Sequence, residues 1–173
     1  NVTTDESKYL AAPIDRRIRV VLTVSHQWYG AAGGVAFVGS FTWGDDTPCF
    51  VFTGLLNYNV KNIAEATAHE SGHTLGLFHQ ASYNSSCVKT TDYNPGTGTG
   101  EIGWAPIMGV GYYQNFTLWN NGPNSFGCTN YQSDLSVITG NNGFTYRTDD
   151  YAGTFASAST INFTNNQFSI NGV

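Results

Sequence analysis

Charge is scarce in this chain. Only 11% of its 173 residues are Asp, Glu, Lys or Arg, and the seven Lys and Arg are scattered along the sequence. At a net charge of −5 there is no basic stripe to follow a phosphate backbone, so nucleic acid is not an expected partner. No apolar run is long enough to span a membrane, and the N-terminus lacks the basic-then-apolar pattern of an export signal. Cysteine occurs three times, with no C-x-x-C pair to indicate a second metal or a redox site. Cys87 and Cys128 lie in polar, Asn- and Ser-rich stretches and are expected to form one disulfide. Cys49 opens the apolar run Cys49-Phe50-Val51-Phe52 and is expected to pack as a small hydrophobe. Three free thiols in a reducing compartment is the alternative that spacing alone leaves open.

In place of charge the chain carries Asn, Thr, Ser, Gly and Tyr, a balance that fits an extracellular, β-rich surface. A secreted or cell-surface protein is therefore expected, its targeting segment removed upstream of Asn1 with or without a pro-segment. The length fits one ordinary domain. Ile18, Val20, Leu22 and Val24 alternate with other residues, predicting a half-buried strand within Arg17–Ser25. Further strands are expected over Val35–Phe41 and Cys49–Thr53, separated by the Gly44-Asp45-Asp46-Thr47-Pro48 turn. From Val60 to Leu75 the period of two gives way to Ala, Glu and His, with Asn59 placed to cap a helix and Gly76 to end it. Beyond Gly76 the glycines and Pro95 predict a long irregular stretch, then a short helix over Gln132–Ile138.

Chemistry is concentrated in His69-Glu70-Ser71-Gly72-His73-Thr74-Leu75-Gly76-Leu77-Phe78-His79. Positions four apart share one face of a helix, so His69 and His73 can aim two imidazoles at one ion with Glu70 beside it. For His79 to supply a third nitrogen the helix must end, and Gly76 is the residue that can turn the chain. Three neutral nitrogens leave a tetrahedral zinc one open position, the arrangement of a catalytic site. Bound water acidified by zinc can then give its proton to Glu70 as general base. His26, alone beside an apolar strand, is read as a structural imidazole.

The long motif, followed by Met108 within Trp104-Ala105-Pro106-Ile107-Met108-Gly109-Val110-Gly111-Tyr112-Tyr113, resembles the metzincin clan of zinc endopeptidases, most of all the catalytic domains of secreted multidomain bacterial members. The resemblance runs from about Val35 to Tyr151 and includes Gly33–Phe41 and Ser133–Ile138. It implies an α+β domain: a short, twisted mixed sheet on an active-site helix, then an irregular C-terminal subdomain with a Met-turn and a short helix. It implies a catalytic unit over 1–144, followed by a linker and the start of another domain over 145–173, to which Arg147-Thr148-Asp149-Asp150-Tyr151 would lead. Only 68 residues precede His69, so a missing or reduced N-terminal part is expected.

By the same resemblance Met108 would form a packed floor beneath zinc, and Val35, Ala36, Phe37, Val38 and Gly39 would form the sheet edge to which an extended peptide adds. Where some metzincins place a metal-reaching tyrosine, this chain has Val110, leaving Tyr112 or Tyr113 as substitutes; where relatives often have an acidic residue after the third histidine, it has Gln80. The implied activity is endopeptidase action on extracellular proteins by a monomeric catalytic domain. A catalytically weak, zinc-bearing adhesion module of a surface protein is the rival, and a narrow processing role competes with a digestive one. The sequons at Asn1, Asn84, Asn115 and Asn162 are either glycan sites or accidents of composition.

Overall fold

Asn59 acts as the expected helix cap: its side-chain oxygen accepts the Asn62 N–H at 3.1 Å, and helix α2 runs over Val60–Thr74. The structure is a computed structural model describing residues 2–170 apart from 149, 153, 163 and 166. Ahead of α2 lie helix α1 (Glu6–Ala11) and the strands β1 (Val20–Thr23), β2 (Gly34–Val35) and β3 (Cys49–Phe52). These strands make one sheet in the order β1-β3-β2, with β1 parallel and β2 antiparallel to β3. Its central strand is the most apolar, and Cys49, Val51 and Phe52 are fully buried. Val51 meets Leu56 and, from α2, Ala66 in the core, with Val20, Ile63 and Tyr112 packed around them. The sheet thus lies across α2 and fixes the height of β2 above it.

Two expectations for this half need correction. The strand expected over Val35–Phe41 stops at Val35. Gly39 adopts a positive φ of 79° and donates its N–H to His73 O at 2.9 Å, so the segment turns down onto the end of α2 instead of extending. Helix α1 carries no apolar stripe and was not foreseen; Arg17 holds it from outside by donating to the carbonyls of Tyr9, Leu10 and Ala12 while pairing with Asp46.

The end of α2 is as expected: Gly76 takes φ 98°, and the Gly76 and Leu77 N–H groups return to the His73 and Gly72 carbonyls. The stretch beyond is less irregular than expected. It holds three two-stranded pairs: β4 (Ser82–Tyr83) with β5 (Lys89–Thr91), β6 (Trp104–Pro106) with β7 (Phe116–Leu118), and β8 (Asn121–Pro123) with β9 (Tyr131–Ser133). The last helix, α3, occupies Asp134–Asn142 and not 132–138, because Tyr131–Ser133 is taken up in the β8 ladder. Cys87 and Cys128 form the expected disulfide, with Cα atoms 5.5 Å apart, and Cys49 is buried and free. No described helix is long and apolar enough to cross a membrane. Of the earlier expectations, Asn1, Asp149, Phe163 of the Asn162 sequon and 171–173 lie outside the described residues.

Candidate metal centre

His69 and His73 stand one turn apart on α2, and the Gly76 turn returns the chain so that His79 joins them. The nearest ring nitrogens of the three lie within 4.8 Å of one another, and the ring centroids are 4.8–5.1 Å apart. Each helix histidine is oriented by a backbone carbonyl: His69 Nδ1 lies 2.7 Å from Ile107 O, and His73 Nδ1 lies 2.7 Å from Leu77 O. A carbonyl only accepts, so these rings carry their proton on Nδ1 and turn a bare Nε2 inward. His73 Nε2 lies 3.0 Å from His79 Nε2, a separation that two lone pairs tolerate only with a proton or a cation between them. Burial holds His69 near a pKa of about 3, with His73 beside it adding to the effect. Burial likewise lowers His79 to about 4 and shifts His73 downward. All three are therefore neutral and ready to ligate at physiological pH.

Glu70 shares this chamber. It is 6% exposed, burial pushes its pKa up to about 8, and its Oε2 is buried with no hydrogen-bond partner among the described residues. A buried carboxylate oxygen without a donor is costly, and a cation or a water held beside the three nitrogens would relieve it. The donor set and the orphaned oxygen together fit a zinc ion with an open position.

Beneath the histidines, Pro106–Gly109 forms a tight turn closed by Gly109 N–H to Pro106 O at 3.0 Å. Met108 at this turn is fully buried, and its sulfur lies so close under Gly72 that a Cβ there would sit 2.5 Å from it. Gly72 is thus the residue that lets α2 rest on the methionine. Above, Gly34 approaches Glu70 so closely that a Cβ would lie 2.7 Å from its Oε1. Between these surfaces is a cavity of about 320 Å³ lined in part by Gly34, Glu70, Tyr93, Val110 and Tyr112.

Other expected site residues fall differently. Val35 is in the edge strand, but Ala36 to Gly39 are not; Phe37 is 60% exposed and stacks near Trp43. Tyr112 lines the cavity, whereas Tyr113 is 86% exposed and does not. His26 packs edge-on to Phe52 and takes no part in the cluster. Sequence reasoning missed Tyr93, whose ring centroid lies 4.3 Å from that of His79 and 6.0 Å from that of His69. It sits in a loop without periodicity, and its only sign in the sequence was being an aromatic between the third histidine and the sole methionine.

Gln80 shows why the chain does without an acidic residue after His79. Fully buried, it donates to Asp134 Oδ1 at 3.1 Å and accepts from Asn120 at 2.7 Å, while its backbone N–H binds Met108 O at 2.8 Å. The carboxylate comes instead from Asp134, which also accepts from Gln132 and from the Asn120 N–H. This network ties the third histidine to the methionine turn.

Compared with known families, residues 19–132 match the metallo-peptidase family M12B, reprolysin-like. No curated protein and no solved structure matches the chain. The family match takes in about two thirds of the 173 residues and contains the three histidines, Glu70 and Met108. With this extent of match around a three-histidine cluster, the chain belongs to the reprolysin-like metallo-peptidase family M12B, and so to the zinc metallopeptidases.

Proposed function

We propose that the chain is a metzincin-type zinc endopeptidase acting on extracellular proteins, with His69, His73 and His79 as zinc ligands and Glu70 as general base. The observation that carries this reading is the convergence of three neutral imidazoles beside the unpartnered Oε2 of Glu70, at the floor of an open cleft. A bound zinc would supply Lewis acidity toward the scissile carbonyl and acidify an attacking water.

The chain's own residues do the rest. Gly34 packs β2 directly against Glu70, and the free edge of this strand is where a peptide backbone would add to the ladder. Glu70 takes the proton of the attacking water and passes it to the leaving amide nitrogen, so no covalent intermediate is needed. The pKa of about 8 describes the chamber without its cation; a dication a few ångströms away favours the carboxylate and restores the base. Met108 and its turn act as the Met-turn floor. Tyr112, which lines the cavity, and Tyr93, whose ring lies against His79, are the two phenols placed to meet the reacting carbonyl. Of the expected edge residues, Val35 remains in β2 as the rim to which substrate would add.

The catalytic unit is read as 1–144, closing where α3 ends at Gly143, whose carbonyl is held by Arg16 at 3.0 Å. The disulfide and the low charge support a secreted or cell-surface protein, whose catalytic domain we read as a monomer.

The test is Glu70→Gln. Zinc content should stay at the wild-type level while cleavage of a casein-like substrate falls by about 10²–10⁴-fold, the usual contribution of a general base. A variant that holds zinc and cleaves at the wild-type rate removes Glu70 from the mechanism.

A further inference from the structure

The cleft runs past Glu70 along α2, and its far wall is chemically distinctive. Glu65 lies four residues before His69 on the same face of α2, one turn further from the histidines. Among the described residues, Glu65 and Glu70 are the only Asp, Glu, Lys or Arg side chains that line the cavity. Glu65 Oε1 accepts from Lys61 Nζ at 3.1 Å. Lys61 also donates to Gly111 O at 2.8 Å and is not among the residues lining the cavity. Glu65 Oε2 has no hydrogen-bond donor among the described residues, although an ionised carboxylate accommodates several. A Cβ at Gly111 would clash with the Thr117 methyl and lie 3.1 Å from this oxygen, so only glycine fits beside it. Beside these two carboxyl groups the lining includes the small or apolar Ala66, Ile107, Gly109 and Val110.

Resting on the peptidase reading, we propose that this cleft selects substrates with lysine or arginine adjoining the scissile bond, and that Glu65 is the specificity-determining residue. The aliphatic stem of such a side chain would lie along Ala66, Ile107 and Val110, and its cationic head would reach the free Glu65 oxygen at the end of the cavity. Tyr112, whose hydroxyl would lie 2.8 Å from a Cβ on Gly33, lines the same cleft. A leucine in the same place would leave that oxygen without a donor, and a glutamate would set two carboxylates together.

The experiment uses the zinc-loaded chain and quenched fluorescent peptides of one sequence, varied to Arg, Lys, Leu or Glu on either side of the scissile bond. At one flank kcat/KM for Arg or Lys should exceed that for Leu by about ten-fold or more, the scale of a charge-assisted hydrogen bond. Glu65→Gln should bring the ratio toward one, and Glu65→Lys should turn the preference toward Glu; circular dichroism and zinc content confirm that both variants are folded and loaded. Equal cleavage of all four peptides by the wild type, or an unchanged preference in folded Glu65→Gln, overturns the role of Glu65 and leaves the peptidase reading intact. Failure of the zinc-loaded wild type to cleave any of these peptides or casein overturns the peptidase reading, and this proposal with it.

Discussion

The two halves of the site are built by different means. On the N-terminal side, Glu70 and two of the histidines stand on a fifteen-residue helix covered by a sheet, and regular hydrogen bonding holds them. On the C-terminal side, His79, the Met108 turn and Tyr93 stand in loops and turns between strands of two or three residues. They are held by a disulfide and by the buried polar side chains of Gln80, Gln132 and Asp134. One half is secured by periodic backbone structure and apolar packing. The other rests on single side chains that bridge distant parts of the sequence, and substitutions should separate the two.

The largest effect is expected from the disulfide. Cys87 and Cys128 close a loop of 41 residues, and losing the bond through the double Cys→Ser change should cost about 4 kcal/mol in the chain-entropy account. Urea unfolding should register this, and hydrogen exchange should rise first over 80–133 while α2 stays protected; uniform exchange would show that the halves are not separable. Asp134→Ala comes next. It removes the acceptor for Gln80, Gln132 and the Asn120 N–H, at about 3 kcal/mol for buried donors left unmatched. Since Gln80 follows His79, zinc affinity should fall with it, whereas a loss of stability with unchanged zinc affinity would uncouple the network from the metal. On the helical side, Asn59→Ala should cost only about 1 kcal/mol and leave zinc affinity unchanged, because a lost cap frays the far end of α2.

The pH response of the zinc-free chain is a gentler probe of the same chamber. Below about 6.5 the unfolded chain takes up protons that the buried histidines, lowered to about 3 and about 4 at His69 and His79, refuse. Stability from this source is therefore full above 6.5 and lost as pH falls. Glu70 acts oppositely: raised to about 8, it keeps its proton when the unfolded carboxyl, near 4.5, has lost it, so stability falls as pH rises from 4.5 to 8. Three histidines outweigh one carboxyl below 6.5, so Tm should peak near pH 6–7 and decline on both sides. Glu70→Gln should abolish the alkaline decline alone; a decline that persists in that variant has another origin.

What the sequence made legible follows the same division. The His69–His79 spacing, the Asn59 cap and the Gly76 exit could all be read because a helix imposes its period on neighbours in the chain. The extent of the edge strand could not: Val35 to Phe41 has strand-like residues, but the bond from Gly39 to His73 decides where pairing stops, and that contact spans 34 positions. Tyr93, Gln80 and Glu65 were not found as functional groups for a related reason. Their roles arise from partners far away in sequence or, for Glu65, from a cavity formed only when the segments around Gly33 and Gly111 close over α2. Met108 was legible because it is the only methionine and lies in a Pro-Ile-Met-Gly turn.

Metal stoichiometry bears most directly on the account. The purified chain should hold one zinc per molecule, and His79→Ala should lose most of it while keeping the helical circular dichroism of α2. A chain that takes up no zinc, or a His79→Ala variant that binds it as tightly as the wild type, would contradict the convergence of the three histidines on one cation.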